Sequence, residues 1–71
     1  MSMTEKIKIV LVKRKMSTVD LAKKLNCSST NIYNKMKRDN FSEKELCQIA
    51  DILDCDFEGT FIMRDTKEKI W

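Results

Sequence analysis

The chain has 71 residues, 42% hydrophobic and 35% charged, with a net charge of +3 and no histidine. That length makes one small domain, residues 1–71, and the composition fits a soluble, helix-rich fold rather than a disordered segment. No apolar run nears the ~20 residues of a membrane span, and no catalytic or metal centre here can use histidine.

A first helix is expected from about Thr4 to Lys15. Ile7, Val10 and Leu11 follow the i, i+3, i+4 pattern of a buried stripe. Lys13-Arg14-Lys15 fall in its last turn, where cations suit the negative end of the helix dipole. Met1-Ser2-Met3-Thr4-Glu5 lacks a basic start followed by an apolar core, so no signal peptide is expected and the chain should stay in the cytoplasm.

Residues 18–37 read as a helix, a short turn and a second helix. Ser17 caps the first of these, with Asp20 three residues on as an approximate capping box. Leu21 and Leu25 lie one above the other on an inward face, and the small Ala22 lets the two helices approach. Asn26 falls in the turn, where a left-handed residue is needed and Gly or Asn tolerates it best. Cys27 plugs the wedge between the helices, Ser28 caps the next helix, and Ile32 and Met36 anchor it to the core. Ser29, Thr30, Tyr33 and Asn34 point outward. This is the layout of a helix-turn-helix, whose second helix enters the DNA major groove.

Lys37-Arg38-Asp39-Asn40-Phe41 make a polar connection, and Ser42 with Glu45 forms a second capping box. The helix that follows runs to about Leu53, with Leu46, Ile49, Ala50 and Leu53 on one face. The tail, residues 57–71, changes character. Phe57 to Arg64 is aromatic and β-prone, with Phe57, Gly59, Phe61 and Met63 on one face of a strand. Arg64-Asp65-Thr66-Lys67 reads as a turn, after which Lys69-Ile70-Trp71 returns as a short second strand. Such a hairpin is barely stable alone. It either folds back on its own domain or pairs with a second copy, and Phe61, Met63 and Trp71 are the candidate dimer or partner contacts.

Cys27, Cys47 and Cys55 are odd in number, with no Cys-x-x-Cys, and read as three buried, reduced thiols rather than a metal site. The charge is uneven. Residues 13–39 carry eight Lys/Arg against two Asp, a net +6, and residues 40–71 carry four Lys/Arg against eight Asp/Glu, a net −4. The positive half coincides with the helix-turn-helix, which is the electrostatic footprint of a nucleic-acid binder.

Leu21-Ala22, Leu25, Cys27 and Ile32 make residues 18–37 resemble the Cro/repressor-type (XRE-like) helix-turn-helix family of bacterial and phage regulators. The resemblance extends over about residues 4–56. Residues 34–42, followed by Leu46 and Ile49-Ala50, look like the small phage-associated members, which commonly bear a strand-like tail. Two positions depart from the pattern: Asn26 stands where the family usually has Gly, and Lys35 where it usually has an apolar residue. If Met36 takes the anchoring role, the recognition helix is rotated slightly.

The resemblance implies a mainly α, four-to-five-helix, lambda-repressor-like domain with a short C-terminal β-strand or hairpin. It implies a homodimer that binds a double-stranded DNA operator through helix 28–37 and mostly represses transcription, with no cofactor and no small-molecule ligand. Carried over position by position, it makes Ser29, Thr30, Tyr33 and Asn34 the base-contacting residues. Thr18, Ser28, Asn31, Lys35, Lys37, Arg38, Asn40 and Ser42 become the phosphate contacts. Tyr33 also reads as packing against a neighbouring helix. The rival function is a protein-interaction module, an antitoxin or anti-repressor, that uses the apolar C-terminal tail. An enzyme is not expected: there is no His, no Gly-rich phosphate loop and no nucleophile elbow.

Overall fold

A computed structural model describes residues 2–70. Four helices and a two-stranded hairpin follow one another: α1 (Met3–Lys13), α2 (Thr18–Lys24), α3 (Ser29–Arg38), α4 (Glu43–Ile52), β1 (Cys55–Phe57) and β2 (Phe61–Met63). The fold is the mainly helical one expected, with four helices among the described residues and no fifth. None of them is long and apolar enough to cross a membrane.

Each helix starts on a serine whose hydroxyl accepts a backbone N–H three residues on: Ser2 from Glu5, Ser17 from Asp20, Ser28 from Asn31 and Ser42 from Glu45. Both expected capping boxes are complete. The Ser17 N–H donates to the Asp20 carboxylate at 3.0 Å, and the Ser42 N–H to that of Glu45, also at 3.0 Å. The bond from Ser17 holds the Asp20 pKa below the usual carboxylate value.

The helix ends follow a rule that the sequence does not announce. Lys15, Asn26, Asp39 and Asp54, one after each helix, have φ of 56°, 60°, 52° and 56°. After α1, α2 and α3 the two following N–H groups turn back onto the last free carbonyls, as in Met16 N–H to Leu11 and Cys27 N–H to Ala22. Lys15 in this conformation ends α1 at Lys13, two residues before the expected Lys15. The single glycine is spent elsewhere: Gly59, φ +72°, turns the hairpin.

That turn corrects the expected single strand from Phe57 to Arg64. The chain reverses there, so β1 and β2 pair antiparallel with Cys55 opposite Met63 and Phe57 opposite Phe61. The Phe57 and Phe61 rings meet edge to face, centroids 5.2 Å apart. The 64–67 turn is as expected, and the returning segment contributes one bridge, Lys69 to Ile62, with the Ile70 N–H donating to the Phe61 carbonyl. Trp71 lies outside the described residues.

One core serves all the elements. Ile7, Val10 and Leu11, Leu21 and Ala22, Ile32 and Met36, and Leu46, Ile49, Ala50 and Leu53 meet Cys55, Phe61, Met63 and Ile70. Phe61 and Met63 are 0% and 3% exposed. They are therefore core residues of their own domain and present no surface to a partner: the hairpin has folded back. The expectation of three buried thiols is corrected too. Cys55 is buried, Cys27 half-buried and Cys47 exposed. Cys47 follows the inward Leu46 by one residue, a 100° step around α4 that turns it to solvent. Burial pushes the Cys55 thiol pKa up.

Candidate nucleic-acid interface

The recognition segment is built by burying one side of α3 and leaving the other bare. Ile32 and Met36, 4% and 6% exposed, fasten the helix to the core. Met36 takes the anchoring role, and Lys35 turns aside to pair with Glu45 at the start of α4. Thr30, Asn34 and Arg38 then form one exposed row at four-residue spacing, with Tyr33 and Lys37 beside it. Leu21 and Ala22, each 1% exposed, let α2 cross close behind.

The base-contact candidates do not all face solvent equally. Thr30, Tyr33 and Asn34 are exposed, whereas Ser29, in the first turn, is half-buried. Of the phosphate candidates, Asn31, Lys35, Arg38, Asn40 and Ser42 line one groove between α3 and α4, together with the base-contact candidate Asn34 and with Phe41 and Glu45. Ser28 and Ser42 are exposed but already accept N–H groups as caps. Lys35 enters the groove with its charge met by Glu45. Thr18 and Lys37 lie on the opposite flank of α3. There they share a hollow with Tyr33, Met36, Thr4 and Lys8.

Sequence reasoning missed Lys8, which reaches this surface only because α1 packs against the end of α3. It also missed the clamp that makes the packing. The Thr4 hydroxyl lies 2.7 Å from the Met36 carbonyl, in the last turn of α3, and 3.0 Å from the Asp39 carboxylate. The Thr4 N–H donates to the same carboxylate at 2.8 Å and holds the Asp39 pKa below its usual value. An acid next to Lys37 and Arg38 is thus committed to the start of α1, where a negative group also suits the helix dipole.

Arg14 is a second residue whose role was not foreseen. Its Nε donates to the Leu53 carbonyl at 2.8 Å and its Nη2 to that of Asp54 at 2.9 Å, closing the C-terminal end of α4. Its guanidinium also grips Asp65 with two bonds, of 2.9 and 3.1 Å, and holds that carboxylate to a pKa of about 2. Arg14 is structural, and so is Arg64, which bonds Asp51 and Asp56. Lys8, Lys23, Lys24, Lys37 and Arg38 make no ion pair among the described residues.

The face that results combines hydroxyl and amide groups on a fixed helix with unpaired cations around them, a combination suited to base edges and phosphates. No group of His, Cys, Asp or Glu among the described residues is placed to hold a metal ion. Compared with known proteins, residues 6–64 match the family model of the Cro/C1-type HTH DNA-binding domain. No curated protein and no solved structure matches the chain.

Proposed function

The chain belongs to the Cro/C1-type HTH DNA-binding family and is a DNA-binding regulator, and from that premise we propose that it is a sequence-specific repressor that lays α3 in the major groove of its operator. The observation that carries this reading is the Thr30–Asn34–Arg38 row, exposed on a helix whose opposite side is fastened by Ile32 and Met36. Asn34 is the base reader: its amide pairs bidentately with an adenine edge, worth ~1–3 kcal/mol of discrimination. Thr30 and Ser29 add hydroxyl contacts of low specificity. Arg38, Asn40, Ser42 and Asn31 meet the backbone on the α4 side, and Lys37 and Thr18 on the other.

One such helix is a weak reader. Specific binding needs ~4–10 kcal/mol over non-specific binding, and a single bidentate contact supplies less. Two copies on half-sites about one turn, ~34 Å, apart double the readout. Repression, and a phage or mobile-element setting in the cytoplasm, rest on the resemblance to small phage-associated members. The rival reading, a protein-binding module working through an apolar tail, loses its surface where Phe61 and Met63 are packed into the core.

The test is a titration of DNA from the gene's own upstream region against scrambled DNA across a salt series. The wild type should prefer its operator. Asn34→Ala should cut that preference by about 5- to 150-fold and leave the salt dependence unchanged. Arg38→Ala should weaken both DNAs alike and flatten the salt dependence. Equal binding of operator and scrambled DNA by the wild type overturns the proposal.

A further inference from the structure

We propose that Lys8 of α1 and the Tyr33 hydroxyl, together with Lys37 and Thr18, form a seat for one DNA phosphate on the α1 flank of the recognition helix. The inference rests on the DNA-binding reading and assigns within it a residue and a role not yet given. It turns Tyr33 from a base reader into a backbone clamp.

The geometry begins with the Thr4 clamp. Because the Thr4 hydroxyl reaches the Met36 carbonyl, the start of α1 is pinned to the last turn of α3. Lys8 lies one helical turn further along the same side of α1 and so faces the same flank. Tyr33 and Lys37 stand four apart on α3, facing it. Thr18, at the start of α2, closes the third side. These side chains line one hollow, which opens to solvent.

Lys8 and Lys37 bring the cations of an anion site to this hollow, and Tyr33 and Thr18 bring hydroxyl-bearing side chains. The carboxylate bonded to a lining residue, that of Asp39, is committed to the Thr4 N–H and hydroxyl. Among the described residues neither Lys8 nor Lys37 is engaged in an ion pair. The groove on the other flank of α3 differs: Glu45 lines it and is paired with Lys35 there. Position on the DNA points the same way. A helix with its side chains is ~10–12 Å across and the major groove ~12 Å wide, so phosphates border α3 on both flanks. A backbone phosphate beside α3 therefore comes to the α1 hollow wherever α3 enters the groove. Tyr33 is 53% exposed, with its ring against this hollow rather than in the Thr30–Asn34–Arg38 row.

The experiment measures the slope of log K against log salt on operator and on scrambled DNA, for the intact chain and four variants. Lys8→Ala should lower the slope by about 0.9 on both DNAs. Lys8→Arg should restore it. Lys67→Asn, which removes an exposed charge from the 64–67 turn and keeps a residue that tolerates left-handed φ, should leave it unchanged. Tyr33→Phe should weaken both DNAs about tenfold, as loss of one hydrogen bond to a charged group does, with operator preference intact. An unchanged slope in Lys8→Ala, or a selective loss of operator preference in Tyr33→Phe, overturns the seat. Because scrambled DNA is bound through phosphates too, the seat is tested even if the wild type shows no operator preference, a result that removes only the sequence-specific reading. No binding to either DNA removes both.

Discussion

Thr4→Val removes one hydroxyl and keeps the side-chain shape, so it isolates the bond that pins the recognition helix. Thr4 is 9% exposed, and its hydroxyl is 2.7 Å from the Met36 carbonyl. The Met36 carbonyl keeps its bond from the Asp39 N–H, 3.2 Å long, so the cost is that of one lost hydrogen bond, about 0.5–1.5 kcal/mol. The backbone bond from Thr4 to Asp39, 2.8 Å long, survives the change and confines the damage to the hydroxyl. In a domain of this size each kcal/mol lowers Tm by about 4–8 °C, so Thr4→Val should melt roughly 2–12 °C below the wild type. Thr4→Ser, which restores the hydroxyl, should recover most of that loss. Thermal unfolding followed by circular dichroism reads both. A Thr4→Val midpoint within 2 °C of wild type, on the order of 0.3 kcal/mol, would refute the reasoning, because the clamp would then contribute nothing beyond packing.

Two further outcomes follow from the same structure. Phe61→Ala, at a position 0% exposed, should cost about 3–5 kcal/mol against a total of about 4–11 kcal/mol for 71 residues; urea unfolding should show a large loss, whereas a surface contact would show almost none. Asp65 carries its own pH signature: Arg14 holds its pKa to about 2 in the fold, below the ordinary 3.8. Its contribution is therefore present above the unfolded value and is lost as pH falls from about 4 towards 2. The midpoint gap between wild type and Asp65→Asn in urea should be open at neutral pH, narrow through that window and close only below the folded pKa of about 2; a gap independent of pH would sink the assignment.

What could be read from the chain was local. Apolar spacing located the four helices, Ser-x-x-Asp and Ser-x-x-Glu marked two starts, and Asn26 marked one end, because each signal depends on neighbours within a turn. The other helix ends were hidden since Lys15, Asp39 and Asp54 adopt left-handed φ without a glycine; for Asp39 the conformation is backed by its bonds to Thr4, a contact made only in the tertiary fold. Gly59 reads by alternation as one position of a strand, and the chain instead reverses there. For Phe61 and Met63 the β-prone character was visible and the buried side was not, because α4 packs on the hairpin and decides which face is covered. The Lys8 hollow joins three helices, and no spacing in one segment points to it.

Counting charges along the chain also misjudges the surface that meets DNA. Of the eight cations in residues 13–39, Lys13, Arg14 and Lys35 are paired with Glu68, Asp65 and Glu45. An exposed pair such as Lys13–Glu68 adds little stability, yet all three settle where positive potential remains. Arg64 likewise spends its charge on Asp51, Asp54 and Asp56. The acidic C-terminal part thus absorbs several cations, while Lys23, Lys24, Lys37 and Arg38, joined by Lys8, stay unpaired among the described residues. Such a division leaves unpaired cations on both flanks of α3, Lys8 and Lys37 at the hollow and Arg38 at the groove, where they attract a polyanion. On the proposed reading, specificity falls to Thr30 and Asn34 of the α3 row, and affinity to Arg38 and the unpaired cations beside it.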